Sequence, residues 1–242
     1  MNRIQQPYSQ QVDFQSQTLA KTFLANVFSW MFLALAVTAL ISYTVAGNDG
    51  FMQLMFNMET GGMSLMGWVI MLSPLGLVLW MSMGFNKMSA PTLTLVFLLY
   101  SILMGLSLSF IFLAYTSASI AKTFVITSGM FGLMALVGYT TKTDLSKFGS
   151  LMMMGLVGLI IASVVNFFFK SSTMEYIISF IGVLVFTGLT AYDVQKLKRI
   201  GASAMTQGEG MRKITIMGAL TLYLDFINLF LFLLRFFGNR NN

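Results

Sequence analysis

Asp193, in VFTGLTAYDVQKLKRI, and Asp225, in IMGALTLYLDFINLFLFLLRFF, are carboxylates set inside long apolar runs near the C-terminus. None of the other acidic residues lies in such a run. A charge in the middle of a membrane-spanning helix costs roughly 3 kcal/mol or more, so it is normally paired, wetted or protonated, and marks a functional site by default. Two of them on successive helices read as a pair. Close carboxylates in a low dielectric cannot both ionise cheaply, so they are expected to share one proton. Such a pair can work as a latch. Protonated, it hydrogen-bonds and holds two helices together; deprotonated, it repels and offers oxygen ligands to a cation. Ca²⁺ takes many hard oxygens, so Asp193 and Asp225 with backbone carbonyls and water would form a transient metal site for a permeant ion. The other reading is that each aspartate hydrogen-bonds to Tyr, Thr or Asn and locks the bundle. Tyr192, Tyr223 and Asn228 are the nearby donors in sequence, Asn228 lying one turn from Asp225. Arg235 lies near the far end of the last apolar run, and its expected partner is Glu59 or a lipid headgroup.

The elements that must hold these residues follow from composition. The 242-residue chain is 57% hydrophobic and 9% charged, with mean hydropathy +0.80. Soluble domains carry about 25% charged residues, so this is an integral membrane protein. Cys and His are both absent, which removes disulfides, thiol nucleophiles, the usual zinc ligands and the usual near-neutral pH sensor. A pH response would have to come from a carboxylate. The net charge of +6 reads as a topology signal and not as nucleic-acid binding.

A bilayer core of about 30 Å needs roughly 20 apolar residues as helix. Seven stretches qualify, at about 22–46, 63–84, 92–115, 121–140, 149–169, 174–195 and 213–236. The sequence therefore predicts an all-α membrane protein, a seven-transmembrane-helix bundle. Residues 1–21 read as a cytoplasmic tail, 22–238 as the membrane domain and 239–242 as a short C-terminal tail. With the N-terminus inside, ten Lys and Arg fall on the cytoplasmic side and four outside, which places the C-terminus outside. Six spans with a re-entrant last segment would return it to the cytoplasm. Antiparallel spans six and seven share one connection. Asp193 lies about 12 Å from one end of that connection and Asp225 about 17 Å from the other, so the two can reach one level. Small residues at Ser101, Gly105 and Ser109, Gly129 and Gly132, Gly155 and Gly158, and Gly182 and Gly188 are expected to let helices pack closely.

The segments FTGLTAYDVQKLKRIG and ALTLYLDFINLFLFLLRFFG resemble the two C-terminal motifs of the Bax inhibitor-1 family. The resemblance implies a helical bundle with the C-terminal helix central, and a pH-sensitive Ca²⁺ leak. It matches the family's paired aspartates to Asp193 and Asp225, and a basic position to Arg235. Some members carry an arginine in the second helix that latches to the first aspartate. Here 63–84 holds no Lys or Arg, so gating would rest on the carboxylates themselves. Acid should then favour closure. The leading expectation is a pH-gated, calcium-permeable leak channel of a bacterial inner membrane, acting as a monomer in membrane lipid without a tightly bound cofactor. The alternative is a regulator that binds a membrane-anchored AAA protease through residues 1–21 and 196–213. An enzyme is disfavoured: there is no glycine-rich phosphate loop, and YLDFINLF lacks the glycine-rich signature of an intramembrane aspartyl protease.

Overall fold

The structure is a computed structural model that describes residues 5–57, 62–203 and 208–241. Nine helices lie in these residues: α1 (Gln5–Ala46), α2 (Asp49–Met55), α3 (Leu65–Gly84), α4 (Ala90–Leu108), α5 (Ile111–Ala114), α6 (Ser117–Thr140), α7 (Ser146–Phe169), α8 (Ser172–Ser203) and α9 (Glu209–Phe237). Seven of these segments are long and apolar enough to cross a membrane, with α4 and the short α5 forming one of them. The protein is an all-α membrane protein.

Small polar residues start four of the long helices. Ser64 Oγ accepts from Gly67 N at the head of α3, Ser89 Oγ from Thr92 N at α4, Thr116 Oγ1 from Ser119 N at α6, and Ser171 Oγ from Met174 N at α8. Pro91 sits in the first turn of α4, where its missing N–H costs nothing. Pro74 falls inside α3 and frees the carbonyl one turn back. Ser73 Oγ donates to that carbonyl, on Ile70, at 2.9 Å, so no bare acceptor is left in the apolar layer.

α9 is the hub. It packs against α8, α1, α6 and α4, and 67% of its most apolar stretch is buried, against 6% for α7. α7 leans mainly on α8, and α3 on α4 and α2; their outer faces are the apolar surface that lipid would solvate. Residues 20–23 of α1 and residues 239–241 lie at opposite ends of the bundle. Ala20 and Phe23 of α1 press on Gly201 at the end of α8. Beyond α9, Asn241 N donates to Ala114 O at 3.0 Å and Arg240 reaches Glu175 at the start of α8, at 3.7 Å.

Two boundaries differ from the sequence reading. α1 begins at Gln5, well before residue 22, because nothing in the polar segment breaks a helix that the apolar run already nucleates. Residues 239–241 are also held rather than trailing free, through an isolated bridge between Tyr115 and Arg240.

Candidate functional site

Asp193 and Asp225 are both buried, at 8% and 4% exposure. α8 runs unbroken to Ser203, and the antiparallel α9 packs along it, so the two carboxyls come close enough to interact directly. A bond between two carboxyls needs one of them to carry a proton. The second oxygen of Asp225, Oδ2, is buried without a partner. Both aspartates line a cavity of about 600 Å³. Its walls are mostly apolar, with Met71 and Pro74 from α3, Met104 from α4, and Met153 and Ile160 from α7. Its polar atoms come from the two aspartates, Tyr100, Thr221 and Asn228.

The flanking donors behave differently from expectation. Tyr223 is fully buried, but its hydroxyl bonds to Thr38 of α1 at 2.7 Å and not to a carboxylate. Tyr192 faces α7, where Gly149 leaves room for its ring. Asn228 does line the cavity, while its amide donates to Leu224 O at 2.8 Å. The three are separated because Tyr192, Tyr223 and Asn228 project from different faces of their helices. Arg235 is exposed, with its guanidinium 5.8 Å from the centroid of the Phe232 ring; Glu59, its expected partner, lies outside the described residues.

The basic run after Asp193 is also deployed away from the carboxylates. Lys198 Nζ donates to Tyr139 O at 2.6 Å, at the end of α6. Arg199 pairs with Asp144 at 2.8 Å. Lys196 is exposed, and its charge is the one that reaches Asp193 through space. Between these positions sits a residue that charge and apolarity alone do not flag. Gln195 is buried and grips the α6–α7 connection at two points, donating to Thr143 O at 2.8 Å and accepting from Leu145 N at 2.9 Å. Its place directly after YD-x in the motif was the available signal. Tyr100 was missed as well, since a tyrosine in an apolar run reads as core filler.

The chain matches the family model described as "Inhibitor of apoptosis-promoting Bax1" over residues 20–242. It is 51% identical over 221 residues to inner membrane protein YbhL of Escherichia coli, covering 91% of this chain and 92% of that one. An uncharacterised protein of Rickettsia prowazekii is 46% identical, covering 92% of this chain and 91% of its own. One from Borreliella burgdorferi is 45% identical, covering 94% and 96%.

Proposed function

Because this chain belongs to the Bax inhibitor-1 family, we propose that it is a calcium-permeable leak channel whose gate is the Asp193–Asp225 pair. The observation that carries this reading is the geometry of the pair. Two buried carboxyls approach each other, both residues line one cavity, and Asp225 Oδ2 has no hydrogen-bond partner. A purely structural aspartate would be expected to spend its oxygens on hydroxyl or amide donors. Asp225 Oδ2 has none. The bridging proton ties α8 to α9; when it leaves, the carboxylates repel, and their oxygens become ligands for a passing cation. Other ionisable groups around the pair are few. Lys196 acts at a distance, Tyr100 lines the same cavity, and α3 contributes no cation. Closure in acid and leak as the pH rises follow from this arrangement.

The test is Ca²⁺ flux into proteoliposomes across about pH 5–8, the physiological range. Asp193→Asn and Asp225→Asn should each remove the pH dependence, and the double change should add little, as expected for residues acting as one unit. Met71 lines the cavity, so Met71→Arg should supply a fixed cation and hold the pore shut to higher pH. A single mutant with an unchanged pH profile would falsify the pair as the gate. A regulator of a membrane-anchored AAA protease would give no flux without its partner, so the same vesicles separate the two readings.

A further inference from the structure

Among the described residues, three buried side-chain polar atoms have no hydrogen-bond partner: Asp225 Oδ2, the Tyr100 hydroxyl and Ser42 Oγ. Tyr100 lines the aspartate cavity, and its ring meets that of Tyr223 edge-to-face, with centroids 5.4 Å apart. Tyr223 reaches Thr38 of α1. Thr38 in turn lines a second, almost wholly apolar cavity of about 90 Å³. Ser42, one helical turn further along α1, lines that cavity too. Its distant wall includes Leu108 and Ile111, which flank the break between α4 and α5, so it lies towards the end of the bundle where the chain terminates.

The donors among these contacts can be assigned. Thr38 has one hydroxyl proton, and it goes to Ser101 O at 2.8 Å. The 2.7 Å contact with Tyr223 is therefore made by the tyrosine proton. Tyr223 and Thr38 form a satisfied bar, anchored on the α4 backbone, between two cavities. Each cavity is bordered by a residue whose buried hydroxyl has no partner, Tyr100 on one side and Ser42 on the other.

We propose that the Tyr223–Thr38 hydrogen bond is a second closure across the bundle, in series with the aspartate pair and separating its cavity from the one lined by Ser42. Its role in conduction rests on the leak reading, whereas its role as a barrier between the cavities does not. Breaking it removes the tie that holds the Tyr223 ring against α1, so that the ring can move aside and the two cavities can join.

The chain lacks cysteine, so Ser42→Cys gives a single reporter. A membrane-impermeant methanethiosulfonate reagent is applied to the membrane face that carries the α8–α9 connection. Labelling should be slow in the otherwise unchanged chain. It should become about five- to tenfold faster with Tyr223→Phe or Thr38→Val, the shift expected from losing one buried hydrogen bond. Thr38→Ser, which keeps the hydroxyl, should label as slowly as the parent. Ca²⁺ flux in the same two variants should rise while keeping its pH profile. Unchanged labelling in both variants overturns the closure, even if the vesicles show pH-dependent flux. Faster labelling with no Ca²⁺ flux in any variant supports the closure and overturns the leak reading instead.

Discussion

Asp144 shows how a residue outside the bundle can govern one inside it. Its carboxylate accepts from Arg199, from the Ser146 backbone N–H and from the Ser146 hydroxyl, at 2.8, 2.9 and 2.7 Å. The hydrogen bonds from Arg199 and Ser146 hold its pKa well below the ordinary carboxylate range. Arg199 also donates to Gln195, two residues after Asp193, so the cluster ties the α6–α7 connection to the turn of α8 that carries Asp193. A carboxylate whose pKa is lower folded than unfolded contributes stability above its unfolded value, about 3.9, and loses it as the pH falls towards the folded value. Asp144→Asn should therefore lower the thermal midpoint at neutral pH, and the gap to the parent should close below about pH 4. A gap that stays constant down to low pH would mean that charge is not what Asp144 supplies. The effect is expected to be small, because the pair is exposed and solvent screens it.

At the scale of elements, the close approaches between helices decide which glycines matter. A Cβ on Gly138 would lie 2.1 Å from Ala191 O, so α6 lies directly against the α8 backbone two residues before Asp193. Glycines 129 and 132 of the same helix have nothing within 4 Å of such a Cβ. Alanine favours helix over glycine by up to about 1 kcal/mol, so Gly129→Ala and Gly132→Ala should be neutral or mildly stabilising. Gly138→Ala should destabilise by roughly 1–3 kcal/mol through the forced separation of the helices. Unfolding of the three variants in detergent checks this; equal effects would remove the close contact from the argument. The contrast also marks what the sequence could reveal. Spacing correctly picks Gly105 against Ile41 and Gly182 against Phe232 as close-packed, but it equally picks the open positions 129, 132 and 158 and passes over 138 and 149. Spacing reports that a face is small. It does not report which partner helix stands opposite. The spans and the two aspartates were legible for a different reason: a charge in an apolar run is costly wherever the neighbours lie. The fate of Tyr223 was not legible, because its partner Thr38 is 185 residues away.

For the whole molecule, the open matter is which end of the bundle faces the cytoplasm. α9 is 29 residues long, about 43 Å at the usual helical rise, and runs from the α8–α9 connection to the α5–α6 junction. A re-entrant segment would turn back to its own starting end, whereas α9 finishes beside Ala114 and Glu175. The last helix therefore traverses the full bundle. Charge then sets the direction. Lys21, Lys87, Lys142, Lys147, Lys196, Lys198, Arg199, Arg212 and Lys213 belong to the end with the α8–α9 connection. The opposite end has Lys122, Lys170, Arg235 and Arg240, and Arg240 is engaged there with Glu175. The end richer in Lys and Arg is normally held in the cytoplasm, so the charge bias predicts the α8–α9 connection inside and Asn242 outside. A phosphatase reporter fused after Asn242 should be active and a cytoplasmic fluorescent reporter dark, with the reverse pattern for fusions in the 204–207 segment. If both fusions behave as cytoplasmic, α9 does not cross in the membrane. If both patterns are exchanged, the bundle stands but is inverted, and the aspartate pair would then sense the pH of the other compartment.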